Sequence, residues 1–425
     1  MQRLLLLLLQ VLVVLQQPHD SDALSDAPLV PVLIIPGDGG NQLQAKLDKP
    51  RREPHVFCAR KTNGWTSLWL QVSDLLPGAV DCWSDNVKLH FDAATYSFRN
   101  TEGVQVRVPG FGGTTTVEFL DPDLKAISGY FHALVETLCT KHGYERGKSI
   151  AAAPYDFRLT PPSNKGFTRK IVALIEKMYE SNGRTPVALL SHSMGSLVTL
   201  FLLNKQPQAW KDKHIASWTS IGGVFGGSAL EFKLHASGDN VGIGFVRSQS
   251  VVKEQRSYET NLWMIPRPGA FPEEQVFLVT PQNKSFGLSN LEEFFDEIEY
   301  PEGFVIHNRT QTLSFGLPAP RVQVHLVIGS KVPTPLKYVY TKGCAKTWFH
   351  HDPTTTIFGD GDGTVNMESL LAPVKKWRAE QSQELTISSF QGIDHTTLVK
   401  ADTVIADVVA HLEKTQEQLQ FETIV

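Results

Sequence analysis

Apolar residues along this chain fall in short runs separated by stretches with helical spacing. "PLVPVLIIPGDGG" holds a buried-strand run at 32–35 that ends in a glycine-rich turn. "SIAAAPYDF", "TPVALLSH", "HIASWTSIGG" and "RVQVHLVIGS" read as further short buried strands, and "ELTISSFQGIDH" as a late one. Between them, Phe131, Leu134, Val135 and Leu138 recur at helical spacing, as do Ile171, Leu174, Ile175 and Met178, with Gly183 as a stop. "GSLVTLFLLNK" and a C-terminal stretch around "TVIADVVAHLEKTQEQL" read as helices too. Alternating strands and helices predict an α/β fold with a mostly parallel sheet covered on both faces.

The alternation is interrupted twice. Residues 55–101 form one insertion, and residues 225–320 read as irregular, rich in Gly, Pro and Ser. The expected division is therefore a core at 25–54, 102–224 and 321–425, a first insertion at 55–101, and a cap with a lid at 225–320. "GDNVGIGFVRSQSVVKEQRS", flexible and glycine-bearing, suits a mobile lid. "TTTIFGDGDGTV" is read as an apolar strand and turn late in the same sheet.

Composition adds little to the fold but narrows the setting. The chain has 425 residues, 41% hydrophobic and 20% charged, with a formal net charge of −4. That is ordinary globular composition, with no basic excess for a nucleic-acid partner. "MQRLLLLLLQVLVVLQQPHDSD" has a basic start and an apolar core too short to span a bilayer, so residues 1–24 are expected to be a signal peptide. On a secretory route the four cysteines, Cys58, Cys82, Cys139 and Cys344, allow three full pairings. Cys58 and Cys82 are the natural local pair. "NKS" at Asn283 and "NRT" at Asn308 are candidate glycosylation acceptors.

The chemistry centres on "LLSHSMGSLVTL". Strand, Ser-x-Ser-x-Gly, then helix is the context of a nucleophile elbow at Ser193, with Ser191 where glycine is usual. The alternative is an ordinary serine at a helix N-terminus. Chain order favours the nucleophile, because serine, acid and histidine follow in that sequence in α/β-hydrolases. "FGDGDGTV" offers Asp360 and Asp362, and "GIDHTTL" offers His395. Asp362 is preferred, since "DGTV" begins there, and Asp360 reads as a turn-stabilising carboxylate. A calcium loop lacks its third ligand and its closing glutamate, and His350 and His351 read as solvated, so neither metal nor cofactor is expected. Oxyanion donors would be the amides of Met194, after the nucleophile, and of Asp38 in "PGDGGN". Within the Cys58–Cys82 span, Trp65, Leu68, Trp69 and Leu70 suit either a bilayer interface or a core.

Taken together, "NQLQAKLDKP", "DCWSDN", "VRVPGFG", "APYDFR", "QPQAWKDK", "ASGDN", "VPTP" and "FGDGDGTVN" resemble the lecithin:cholesterol acyltransferase family over about 32–411. Asp38, "HSMG" and "DGDGTV" match its lysosomal phospholipase branch better than its plasma acyltransferase branch. The resemblance implies an α/β-hydrolase fold with Ser193 as nucleophile, Asp362 as acid and His395 as base. It also implies amides of Asp38 and Met194 as the oxyanion hole, a Cys58–Cys82 disulfide, and Trp65–Leu70 in a membrane-binding segment. The implied reaction is calcium-independent cleavage of a glycerophospholipid acyl ester at a phospholipid membrane surface, with transfer to water or to a lipid alcohol such as ceramide. The implied setting is a monomer in the lysosomal lumen, with secretion as a second destination.

The chain departs from the family at Gly39, usually leucine, and at "SIGGVFGG", usually "GAPWGG". Leu326 and Ala372 stand where a second disulfide would be. An ionised Asp38 would repel a developing oxyanion, whereas His395 must be neutral to act as a base. Family precedent resolves this opposition toward an acidic optimum. The alternatives are a catalytically weak lipid-binding or lipid-transfer protein on the same fold, and a serine peptidase, which the apolar insertions disfavour.

Overall fold

The computed structural model describes residues 29–240 and 242–424, so the expected signal peptide lies outside the described residues. Six strands make the central sheet: β1 (Val32–Ile35), β2 (Ile150–Ala152), β3 (Val187–His192), β4 (Ile215–Ile221), β5 (Val324–Ser330) and β6 (Leu385–Gln391). Their order is β6-β5-β4-β3-β1-β2, and every pair is parallel. A parallel sheet needs cover on both faces, which is why these strands read as continuous apolar runs rather than as alternating ones.

The two faces are separable residue by residue. Leu33, Ile35 and Leu189 point to one side and join Ile171 and Ile175 of the Phe167–Ser181 helix and Leu197 of the Met194–Asn204 helix. Val32, Ile34 and Leu190 point to the other and join Leu134, Val135 and Leu138 of the His132–Lys141 helix and Val404 and Val408 of the Asp402–Ile424 helix. This period-2 alternation along β1 and β3 makes the three-layer α/β-hydrolase core.

Residues 225–320 are not irregular. They form the helices Leu230–Ser237, Ser248–Gln255, Glu259–Trp263, Leu291–Glu297 and Pro301–Gln311 and the strands Val276–Val279 and Ser285–Gly287. Their aromatic core of Phe232, Phe277, Phe286, Phe294 and Phe295 is distinct from both sheet faces. Asn283, at φ 60°, turns between the two strands, and Asn308 is exposed on the last helix.

Thr355–Gly359 is likewise not a late strand of the central sheet. It closes a separate four-stranded sheet with Thr334–Val339, Val276–Val279 and Ser285–Gly287. Its residues are mostly exposed, so the apolar strand expected there is an edge.

Residues 55–101, expected to be the first insertion, are tied down at several points. Cys58 and Cys82 are bonded, with Cα atoms 5.5 Å apart, while Cys139 and Cys344 are unpaired. Thr66–Trp69 pairs with Leu43–Leu47, which pairs in turn with Val104–Arg107. Arg158, fully buried, donates to Val87 O (2.6 Å) and Asn100 Oδ1 (3.0 Å) while holding Asp156 Oδ2 at 2.7 Å. Among the described residues no helix is long and apolar enough to cross a membrane.

Candidate active site

Strand β3 ends at His192, and the Met194–Asn204 helix starts two residues later, so Ser193 takes the whole reversal. Its backbone lies at φ 53°, ψ −128°, a region that non-glycine residues rarely enter. The turn is this tight because the new helix starts against β1. A Cβ on Gly195 would meet Ile35 O at 2.4 Å and Pro36 O at 2.5 Å. Ser191 has no such constraint. Its hydroxyl is buried, accepts from Trp218 Nε1 (2.8 Å) and lies 3.0 Å from Ser196 Oγ, which explains a serine in place of glycine.

Asp362 and His395 meet across sequence. His395 Nδ1 donates to Asp362 Oδ2 at 2.7 Å, and the His395 amide donates to Asp362 O at 2.7 Å. The other carboxylate oxygen accepts from the amides of Val365 (2.7 Å) and Thr364 (3.1 Å). With Nδ1 so committed, Nε2 is free to handle a proton. Asp362 is fully buried and bridges to Val332, just beyond β5, so it is the end of β5 that positions it. Asp360 is exposed and instead accepts from the amides of Lys331 (2.7 Å) and Gly361 (2.8 Å), a turn-stabilising carboxylate.

Ser193 and His395 converge on the end of β4. The Ser193 amide donates to Ile221 O (2.9 Å), and a Cβ on the next residue, Gly222, would stand 3.0 Å from His395 Nδ1 and 3.3 Å from Asp362 Oδ2. Gly222 lies at φ +56°, so glycine there serves both the backbone and the histidine–acid pair.

Two residues that the sequence analysis did not single out bind these parts together. The Gly37 amide donates to Tyr130 Oη (3.2 Å), Tyr130 Oη donates to His192 Nδ1 (2.6 Å), and His192 Nε2 donates to His395 O (3.0 Å). The oxyanion-loop candidate, the residue before Ser193 and the histidine thus share one buried chain. Burial, helped by the charge of His395, holds the His192 imidazole well below its ordinary range, so it is neutral. Only the adjacency of His192 to Ser193 hinted at this in the sequence; Tyr130 gave no signal.

The 37–40 turn lies alongside. Met194 is the first residue of its helix, so its amide lacks an intrahelical acceptor. Asp38 is exposed at its surface yet has much protein around its carboxyl. That surrounding protein raises its carboxyl to about 7, partly opposed by a hydrogen bond from the Gly39 amide. Gly39, at φ +59°, offers its carbonyl to Trp69 Nε1 at 2.6 Å, and the indole occupies the space a side chain at 39 would need.

Burial corrects the bilayer option for Leu68 alone, since Trp69 is half-buried like Trp65 and Leu70. Leu68 is buried and Trp69 faces the loop, ringed by Trp83 and Phe157. Trp65 and Leu70 are half-buried, with the Arg107 guanidinium 4.5 Å above the Trp65 ring. The apolar side chains this segment exposes are Val56 (82%), Phe57 (62%) and Leu76 (48%). Two of these, Val56 and Phe57, immediately precede Cys58 in a run of charged and polar residues that carries no apolar period.

Comparison with known proteins agrees with the geometry. Lecithin:cholesterol acyltransferase is the family matched, over residues 65–402. Lysosomal phospholipase A and acyltransferase of Homo sapiens is 38% identical over 402 residues, 95% of this chain and 94% of that protein. The Rattus norvegicus protein of the same name is 38% identical over 376 residues, 88% of each chain. Human phosphatidylcholine-sterol acyltransferase is 39% identical over 382 residues, 90% of this chain and 84% of that one. Among solved structures, a chain of the Tle4–Tli4 complex aligns over 91% of this chain and 98% of its own, with a TM-score of 0.50 and 13% identity, a likeness of fold alone. The elbow at Ser193, the bonded Asp362–His395 pair at the ends of β5 and β6, and relatives of this similarity over most of the chain lead to one conclusion: this chain belongs to the lecithin:cholesterol acyltransferase family.

Proposed function

We propose that this chain is a serine phospholipase A and O-acyltransferase acting on glycerophospholipids at a membrane surface. The observation that carries the reading is the Asp362–His395 hydrogen bond of 2.7 Å beside a strained Ser193. In this reading Ser193 Oγ attacks the acyl-ester carbonyl while His395 Nε2 takes its proton. Asp362 keeps the imidazole in the right tautomer and stabilises its cation. The amides of Asp38 and Met194 receive the oxyanion, each such donor contributing about 3–4 kcal/mol in the transition state. Collapse breaks the ester bond, and the lysophospholipid oxygen leaves with the proton from His395. The acyl-serine is then attacked by water or by a lipid alcohol, with His395 removing the proton from the incoming hydroxyl. No step calls for calcium.

The lysosomal branch is favoured by Asp38, by "HSMG" and by "DGDGTV", and by relatives named for that activity. A lysosomal lumen location is supported by the names of the same relatives, with secretion as the second destination. Ceramide is the lipid alcohol proposed as acceptor, and Val56, Phe57 and Leu76 the side chains that meet the bilayer.

The test is mass spectrometry of products from mixed phospholipid–ceramide liposomes at about pH 4.5 and about pH 7.4, with the full chain and with Ser193→Ala. Fatty acid and acylceramide should form with the former and vanish with the latter. Full activity in Ser193→Ala overturns the reading. Lipid uptake without fatty-acid release would make the chain a lipid carrier instead.

A further inference from the structure

A cavity of ≈1030 Å³, at the upper end of what small-molecule sites occupy, lies away from the catalytic residues; none of Ser193, Asp362 and His395 lines it. Its walls come from the Leu288–Asn290 turn and the helices Pro301–Gln311 and Val374–Glu380. Leu288, Leu291, Phe304, Leu317 and Ala372 make it largely apolar, and Phe315 stands 84% exposed beside it.

Into this apolar setting the chain places a guanidinium. Arg267 lines the cavity and is only 6% exposed. One terminal nitrogen donates to Ser314 Oγ and the other to Trp263 O at 2.8 Å, and its Nε has no partner. Among the described residues no carboxylate stands within ion-pair distance of it. Burial brings its pKa down to about 9, which still leaves it charged across the physiological range. Next to it His307 is held neutral by burial, with the Arg267 charge adding to that. The other charged lining residues are Lys375, Lys376 and Glu292; Lys376 is engaged with Gly316 O and with Glu380, and Glu292 is exposed. A buried cation without a counter-ion is destabilising, and a bound anion would offset that cost.

We propose that this cavity binds a single-chain lipid with an anionic head group, its carboxylate or phosphate on Arg267 and its acyl chain along the apolar wall. The fatty acid released by the reaction proposed above is one source of such a molecule, and a lysophosphatidate is another. The first source depends on that reaction; the cavity does not. The Arg267 amide also donates to Gly226 O (3.0 Å), four residues beyond the Gly222 that packs on His395, so an occupant would sit against the loop that leaves the catalytic centre.

The experiment follows binding of carboxyl-labelled oleate to the full chain by carbon NMR, beside oleyl alcohol and an ether-linked lysophosphatidate, which has no ester to cleave. An oleate site at least about tenfold tighter than any oleyl alcohol site is expected, equivalent to about 1.4 kcal/mol. Ala372→Phe, which fills the cavity from a half-buried position, should delete that site and leave ester hydrolysis unchanged. Arg267→Gln should weaken the anions about tenfold or more and leave oleyl alcohol unaffected. The tighter of the two anions identifies the source. Equal binding of oleate and oleyl alcohol, or an oleate site that survives Ala372→Phe, overturns the proposal. Because Ala372→Phe does not disturb the buried arginine, the test stands even if Arg267→Gln fails to fold.

Discussion

Asp38 puts an acid on the loop proposed to receive the oxyanion, and its surroundings decide when that acid is harmless. Raised to about 7, its carboxyl is neutral below that pH and anionic above it. Anionic, it would oppose the charge developing on the substrate. We therefore expect kcat/KM to fall as pH rises through about 7, and Asp38→Asn to move that alkaline limb upward. An Asn variant with an unchanged profile contradicts this account. Gly222 gives a second prediction at this scale. An alanine there must adopt φ +56° and press its Cβ on His395 Nδ1 and Asp362 Oδ2. Gly222→Ala should lower kcat at least about tenfold, or about 1.4 kcal/mol, and destabilise the fold by about 1–3 kcal/mol. Steady-state kinetics with a denaturant titration reads both. Ser193, Asp362 and His395 could be read from motif and chain order. Tyr130 and His192 could not, because their roles rest on hydrogen bonds spanning 62 and 203 residues of chain.

At the scale of elements, residues 55–101 are held to the core by a few strong ties. The Cys58–Cys82 bond closes a span of 24 residues, and opening it should cost about 3–4 kcal/mol by loop entropy. Arg158 ties the same segment to the core from a fully buried position. Arg158→Leu leaves Asp156 without its buried partner, so a loss of about 3–5 kcal/mol is expected. Denaturant melts of Cys58→Ser/Cys82→Ser and Arg158→Leu check both; a loss well under 1 kcal/mol would contradict the anchoring role. The core strands were legible because both faces of each are buried, which leaves an unbroken apolar run. Residues 225–320 were not legible. Their helices are mostly a few turns or less, too short to establish a period, and their aromatic core is assembled from four separate elements.

The whole molecule carries buried acids and histidines whose charges pull stability in opposite directions with pH. Burial raises Glu254 to about 8 and Glu231 well above its ordinary value, and each has an orphaned oxygen. The folded chain therefore keeps protons that the unfolded chain releases above about 4.5, and stability falls as pH rises toward 8. His192, His235, His307 and His411 are depressed by burial and act with the opposite sign below about 6.5. The two sets offset each other between about pH 4.5 and 6.5, and above that only the acids act. Tm should decline from about pH 6.5 to 8, by at most about 1.4 kcal/mol of stability per acid per pH unit. Glu254→Gln should flatten the decline in calorimetric scans, and a Tm rising over that range would contradict it.

The sequence by itself determined the layered α/β core, the elbow serine and the order of its partners, because burial on both strand faces and a tight strand-to-helix turn leave local patterns. Tertiary structure alone brought Asp362 to within 2.7 Å of His395 and set Asp360 against the Lys331 and Gly361 amides, because those partners are far apart in the chain or fixed by the turn. It decided that Trp69 fills the space beside Gly39, a contact between residues 30 apart in the chain. It also left Arg267 buried without an acid, because the absence of a counter-ion is a property of neighbours in space and not of neighbours in the chain.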